Sequence, residues 1–253
     1  MIYIATHKKF RDPHLSEYIP IQVGAENRED LGYLRDNTGD NISYKNANFC
    51  ELTGLYWIWK NTHDKYKGLV HYRRYFGKNN LSSQITDIYS YEELVSMIDT
   101  ADIIVPYIEV LKQNAKDELL IDCCTLQIFN ELERIIKNKY PHYTITFDEY
   151  FSQNKTVLFN MMFCKSELFD EYCSWLFDIL FDLEQHINIE NLNDYQKRLY
   201  GFLSERLLNI WIRYNKLNVK NLPVINTEID SFQKFNLLRR RFTNGIIYTL
   251  KNK

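Results

Sequence analysis

Residues 68–76 read Gly-Leu-Val-His-Tyr-Arg-Arg-Tyr-Phe, a short apolar run that stops abruptly at a histidine and two adjacent arginines. Such a run reads as a buried strand, and its end brings His71, Arg73 and Arg74 to the edge of a sheet. In open α/β sheets that edge is where ligands bind. A guanidinium group makes two charge-assisted bonds to one phosphate, so a phosphate-bearing ligand suits this edge.

The rest of the chain supplies the sheet. Residues 2–5 read as a buried first strand ending on Thr6, His7 and Lys8, and residues 19–23 as a second, followed by Gly24. Residues 91–99 form a short helix, and 101–106 a strand closed by Pro106, which cannot donate to a ladder. Residues 156–163 read as a strong strand with one amide, Asn160, inside an apolar run; residues 218–225 give a last short one. Between them the spacing predicts helices. Residues 46–61 carry the stripe Phe49, Leu52, Tyr56 and Trp59, read as core, with Glu51 and Asn48 as minor candidates for ligand contact. Residues 117–139 place Leu126, Phe129, Leu132, Ile135 and Ile136 on one face. Ser166 is read as the cap of a helix bearing Phe169, Tyr172, Cys173, Leu176, Phe177, Leu180 and Leu183. Strand and helix alternate throughout, which predicts an α/β fold with a Rossmann-like mixed sheet flanked by helices. Residues 28–44 are a polar loop, either a flap or ordinary surface.

With 253 residues, 45% of them hydrophobic, the chain suits one large domain rather than two equal ones. A net charge of −2 argues against nucleic acid as a partner. The five cysteines form no CxxC pair and no zinc spacing, and are read as reduced core residues of a cytoplasmic protein. The start of the sequence lacks the pattern of a signal peptide, and no run approaches the roughly 20 apolar residues of a membrane span, so a soluble or peripheral protein is expected.

The predicted helix 194–214 has Leu199, Phe202, Leu203, Leu207 and Ile210 on one side. At about 100° per residue Arg206 falls inside that apolar arc and Glu205 well outside it. A buried arginine needs a partner, so Arg206 sits either in an internal ion pair or at a cleft. We divide the chain into a main domain, 1–230, and a basic amphipathic tail, 231–253. From residue 232 onward the tail has Lys234, Arg239, Arg240, Arg241, Lys251 and Lys253, no acidic residue, and interleaved Phe, Leu, Ile and Tyr. That pattern fits a helix on an anionic membrane surface and equally a terminal helix packed on the domain.

Several segments together resemble the DUF4422 family of bacterial capsular and exopolysaccharide biosynthesis proteins, regarded as glycosyltransferases. They are Tyr-Ile-Ala-Thr-His-Lys at 3–8, Cys-Glu-Leu-Thr-Gly-Leu-Tyr-Trp-Ile-Trp-Lys-Asn at 50–61, the 68–76 segment, Asn-Met-Met-Phe at 160–163 with the helix after it, and Gly-Phe-Leu-Ser-Glu-Arg-Leu at 201–207. The resemblance spans residues 3 to about 215. It implies a GT-A-type, single-domain glycosyltransferase using a UDP-hexose, with galactofuranose or galactopyranose as the candidate sugars. A capsular, exopolysaccharide or O-antigen glycan, lipid-linked, is the implied acceptor, reached from the cytoplasm or the inner face of the membrane.

Most GT-A enzymes stabilise the leaving diphosphate with a divalent metal held by Asp-x-Asp, and this sequence has no Asp-x-Asp. In its usual place stand His71, Arg73 and Arg74. The expectation is therefore a metal-independent, inverting transferase with no cofactor, whose donor contacts are Thr6, His7, Lys8, His71, Arg73, Arg74 and Asn160. Each has a plainer reading: an arginine paired with a carboxylate such as Asp102, a solvated Lys8, a buried amide at Asn160 satisfied by backbone. Glu205 is the expected catalytic base, oriented by Arg206, against the reading of a surface glutamate. The rival functions are a non-catalytic nucleotide-sugar or polysaccharide-binding assembly protein and a nucleotide-sugar hydrolase.

Overall fold

The ladder between residues 2–6 and 66–71 is the axis of the fold in the computed structural model, which describes residues 1–79 and 82–251. Residues 80, 81, 252 and 253, including Lys253 of the basic tail, lie outside the described residues. Strands β1 (Ile2–Thr6), β2 (Tyr18–Gln22), β3 (Leu34–Arg35), β4 (Tyr66–His71), β5 (Arg74–Phe76), β6 (Ile103–Pro106), β7 (Glu109–Val110), β8 (Lys155–Thr156), β9 (Met162–Lys165), β10 (Val219–Leu222) and β11 (Val224–Asn226) follow in chain order. A nine-stranded sheet has the order β10-β6-β9-β4-β1-β2-β3, with β5 paired to β4 and β11 to β5, while β7 and β8 form a separate pair. β1 lies parallel to both β2 and β4, whereas β9 runs antiparallel between β4 and β6.

Side chains alternate across a strand. Tyr3, Ala5 and Leu69 therefore enter the larger core, under the helices Leu52–Asn61, Leu126–Lys139, Ser166–His186 and Leu199–Tyr214. Ile2, Ile4 and Val70 face the smaller one with helix Tyr91–Ile98. Gly68 pairs with Phe163 of β9, and a Cβ there would stand 2.8 Å from the Phe163 ring. The expected mixed sheet flanked by helices, with a helical tail, is thus what the chain forms.

Several expected elements are broken. The 46–61 helix is two, Asn46–Phe49 and Leu52–Asn61, parted where Cys50 takes φ 52°. The 117–139 helix is also two, Ala115–Asp122 and Leu126–Lys139; Thr125 caps the second, and Leu126 is exposed rather than on its apolar face. The 156–163 strand is β8 and β9 joined by a turn, and 218–225 divides at Pro223 into β10 and β11. Ser166 opens its helix without a capping bond. The 194–214 helix begins at Leu199, after a 3-10 turn at Gln196–Arg198. Residues 28–44 are pinned rather than flap-like: β3 pairs with β2, and the buried Asp36 accepts from the backbone N–H of Gly24 (2.8 Å) and Ala25 (2.9 Å).

The tail forms helix Ser231–Lys251, which packs against β7. Among the described residues no helix is long and apolar enough to cross a membrane. All five cysteines are free.

Candidate active site

β1 and β4 end side by side, with Ala5 opposite His71, and the chain turns back through Tyr72 and Arg73 into β5. A cleft of about 670 Å³ opens at these strand ends. His7, His71, Arg73 and Arg74 line it from the sheet, Cys50 and Glu51 from the junction of two helices, Phe159 from the β8–β9 turn, and Arg198, Glu205 and Arg206 from the helical side.

The β8–β9 turn organises the floor. Phe159 and Asn160 take φ 81° and 50°, and consecutive left-handed non-glycine residues persist only where their surroundings hold them. Here the holding groups belong to the cleft. The Phe159 N–H donates to Glu205 Oε1 (2.7 Å), and its carbonyl accepts from His71 Nε2 (2.5 Å). Asn160 Nδ2 donates to Glu51 Oε1 (2.7 Å) and the Gly201 carbonyl (3.0 Å), while its Oδ1 accepts from Ser204 Oγ (2.7 Å). One turn therefore fixes the positions of His71, Glu51 and Glu205 together. Because a carbonyl can only accept, the bond to Phe159 assigns the proton of the neutral His71 ring to Nε2 and leaves Nδ1 as an acceptor.

Electrostatics separate these groups. Burial pushes His71 below the ordinary histidine value, with Glu51 opposing and Arg74 reinforcing. Burial raises Glu205 above the usual carboxylate value, against the pull of Arg206. Arg206 is only 5% exposed; one of its terminal nitrogens lies 3.1 Å from Glu205 Oε2, but its Nε is buried without an acceptor among the described residues. Arg74 stands 4.6 Å from the centre of the Phe159 ring and, among the described residues, makes no side-chain hydrogen bond or ion pair. An unmet buried donor costs about 1–3 kcal/mol, which applies to Arg206 Nε, whereas the half-exposed Arg74 presents its unpaired guanidinium to the cleft, where an anion could meet it.

The sequence-predicted residues divide accordingly. His7, His71, Arg73, Arg74, Glu205 and Arg206 reach the cleft. Arg73 is drawn to the rim by Glu228 (3.3 Å) rather than by Asp102, which accepts from the Asn218 N–H. Thr6 does not line the cleft: its hydroxyl donates to the Lys8 carbonyl (2.6 Å) in a local turn. Lys8 is held outside by Glu228 (3.1 Å). Asn160 is buried beneath the floor, a satisfied amide supporting Glu51. Glu205 faces the cleft beside Arg206, as expected of it, rather than lying on the open surface, but Phe159 and Arg206 each engage one of its oxygens. Glu51, a minor candidate from sequence, lines the cleft with Oε2 unbonded among the described residues, whereas Asn48 is tied to the Lys197 carbonyl (2.9 Å). Arg198 was missed altogether; a basic residue one turn before the 201–207 motif was the only signal for it.

Among the described residues no group of three or more His, Cys, Asp or Glu is placed to hold a metal ion. Arginines 73, 74, 198 and 206 meanwhile face the same space.

No curated protein matches the chain. The apo structure of WbbM, a bifunctional glycosyltransferase, matches with a TM-score of 0.80 and 28% identity over 90% of this chain and 45% of that one. The present sequence thus spans less than half the length of that protein. The family model of the domain of unknown function DUF4422 matches residues 1–216, a span that contains every cleft residue named above. With that span matched, the chain belongs to the DUF4422 family.

Proposed function

We propose that the cleft binds a UDP-hexose, with galactofuranose and galactopyranose as the first sugars to try, and transfers the hexose to a growing surface glycan. The observation that carries this reading is Arg74, a half-buried guanidinium in the cleft with no ion pair among the described residues, sharing that space with Glu51 and with the Arg206–Glu205 pair. Its likeness to WbbM, named a glycosyltransferase, supports the same reaction class.

Transfer breaks the bond from the sugar's anomeric carbon to the diphosphate oxygen, and the acceptor hydroxyl oxygen forms the new one. Negative charge grows on the departing diphosphate, and Arg74 and Arg206 are poised to bond to it, with Arg73 and Arg198 adding to the field. The acceptor's proton needs a base. Of the two carboxylates, Glu51 has the free oxygen, and Asn160 holds the other, so we assign the base to Glu51. Glu205 keeps the β8–β9 turn and Arg206 in place. A single displacement of this kind inverts the anomeric centre and needs no metal. Of the three residues at the end of β1, His7 is retained as a nucleotide contact. A second cavity of about 220 Å³ shares Arg74, Leu158 and Phe159 with the cleft and suits the acceptor, for which a lipid-linked glycan is the proposed form. Five free cysteines suit the reducing cytoplasm in which such donors are made.

Melting the protein with UDP and a panel of UDP-hexoses in EDTA tests the reading. Saturation at about 100 times the dissociation constant is worth about 2.7 kcal/mol, or roughly 5–10 °C for a chain of this size. No shift with any nucleotide overturns the donor site, and a shift that appears only with added Mn²⁺ or Mg²⁺ overturns metal independence. Sugar release without an acceptor would point to hydrolysis instead.

A further inference from the structure

Helix Ser231–Lys251 has two faces with opposite fates. Its inner face is fixed to the body. Arg241 Nε donates to Glu109 (2.8 Å) and its guanidinium lies 3.5 Å from the Tyr107 ring centre, while Asn244 donates to the Val110 carbonyl (2.9 Å) and Tyr248 to that of Ser152 (3.2 Å). At 100° per residue these three side chains occupy an arc of about 60°. On the opposite side Phe232, Phe235, Phe242, Ile246 and Leu250 share an arc of about 80°. They are 73, 57, 73, 47 and 69% exposed. Scattered apolar residues on a surface are ordinary, but a row along a helix about 30 Å long, interrupted within its arc by the exposed Arg239, marks a contact face.

Charge identifies what the face meets. From residue 232 to the end the sequence has six Lys or Arg and no Asp or Glu, in a protein whose net charge is −2. The rest of the chain is therefore acidic, and an anionic surface attracts the tail while repelling the body. A second copy is disfavoured, because apposed tails would bring Arg239 and Arg240, both exposed, against their own equivalents. We propose that this helix lies in the plane of an anionic lipid surface, its aromatic and aliphatic row at the acyl boundary, with Arg239 from within that row and Arg240 from beside it reaching to the headgroups. Leu237, Leu238 and Arg241 of the same helix line the cavity that adjoins the cleft. Docking would thus hold that cavity beside the membrane. The inference rests on the helix alone and stands apart from the assignment of the donor.

Flotation of the intact protein with vesicles tests it. Phosphatidylcholine vesicles containing phosphatidylglycerol should carry the protein with them, at least about tenfold more tightly than pure phosphatidylcholine vesicles, and less tightly as salt rises. A Phe235→Ser, Phe242→Ser, Ile246→Ser variant should lose about tenfold or more of this binding while melting within about 2 °C of wild type and keeping its UDP-induced shift. Arg239→Glu should reduce the preference for phosphatidylglycerol. Failure of the wild type to bind vesicles, or equal binding to neutral ones, overturns the proposal. So does a wild-type dimer that the triple variant converts to monomer, since the occupant would then be a second copy.

Discussion

Helix Leu52–Asn61 serves two regions built by opposite rules. Along its length Trp59 stacks on Phe177 with ring centres 5.8 Å apart and planes 3° from parallel, and Tyr56 meets the same ring edge-on at 5.0 Å. Phe49, just before it, stacks on Tyr200 at 4.3 Å. These are low-energy aromatic geometries. At the helix's N-terminal end, Cys50, Phe159 and Asn160 all have positive φ, Arg206 Nε is buried without an acceptor, and Arg74 has no carboxylate partner among the described residues. One region spends its residues on cohesion, while the other holds left-handed backbone and unpaired charge, which fits the ligand proposed for it. Substitutions should therefore separate: in the aromatic layer they cost folding, and on the cleft floor they cost chemistry.

The largest expected effect is at Glu51. Glu51→Gln should slow transfer about 10²–10⁴-fold while leaving the melting temperature and UDP affinity near wild type. Phe177→Ala should do the reverse, lowering stability by about 3–5 kcal/mol with UDP affinity retained in the folded fraction. Glu205→Gln is the arbiter between the carboxylates. Loss of turnover at unchanged stability would return the base role to Glu205, whereas a marked fall in melting temperature, from leaving the buried Arg206 charge unpaired, fits the supporting role assigned here.

The boundary between the two regions is also the boundary of what could be read from sequence. β1, β2, β4 and β6, and the seven apolar positions of helix Ser166–His186, follow from periodicity, because cohesion repeats along an element and leaves a pattern. The breaks at Cys50 and at Phe159–Asn160 do not, since neither carries the glycine that usually announces a positive φ. Their conformations are imposed from far away, Phe159 by Glu205 and His71 at separations of 46 and 88 residues. Glu51 was undervalued for the same reason: read as one helix, 46–61 offers no ground for turning a carboxylate at its middle toward a sheet edge. The arginine pair was legible as a charge at a strand end, but not the difference between its members, which depends on Glu228 beyond β11.

That difference gives the next effect in size. Arg74→Met removes a partly buried cation with no carboxylate partner, so stability should hold or rise, while UDP affinity should fall about 10–100-fold, the loss of a charge-assisted bond worth about 1.5–3 kcal/mol. Arg73→Met removes an exposed ion pair with Glu228, worth about 0–1 kcal/mol, and UDP affinity should change less than threefold. Titration calorimetry with UDP ranks the two, and equal losses would erase the distinction drawn between them.

The smallest effect is a pH slope, and it bears on whether the floor is held for an anion. Burial lowers the pKa of both His71 and His7 from the ordinary 6.5. As pH falls through about 6.5 the unfolded chain takes up protons that the folded rings still refuse, so the unfolded state binds more protons and stability drops. Each ring contributes at most about 1.4 kcal/mol per pH unit. Glu205 has the opposite sign: its raised pKa leaves the folded state holding a proton above the ordinary 4.5, and its contribution is lost as pH rises through the folded value. Melting curves of wild type and His71→Gln from pH 5 to 8 isolate the part due to His71, since the variant keeps only the His7 contribution and should lose less stability on the acid side. Saturating UDP should flatten the wild-type slope, because a diphosphate beside His71 favours the charged ring and raises its pKa toward that of the unfolded chain. A slope that UDP leaves untouched would mean that the phosphate lies away from His71, and would move the donor toward Arg198 and the opposite wall of the cleft.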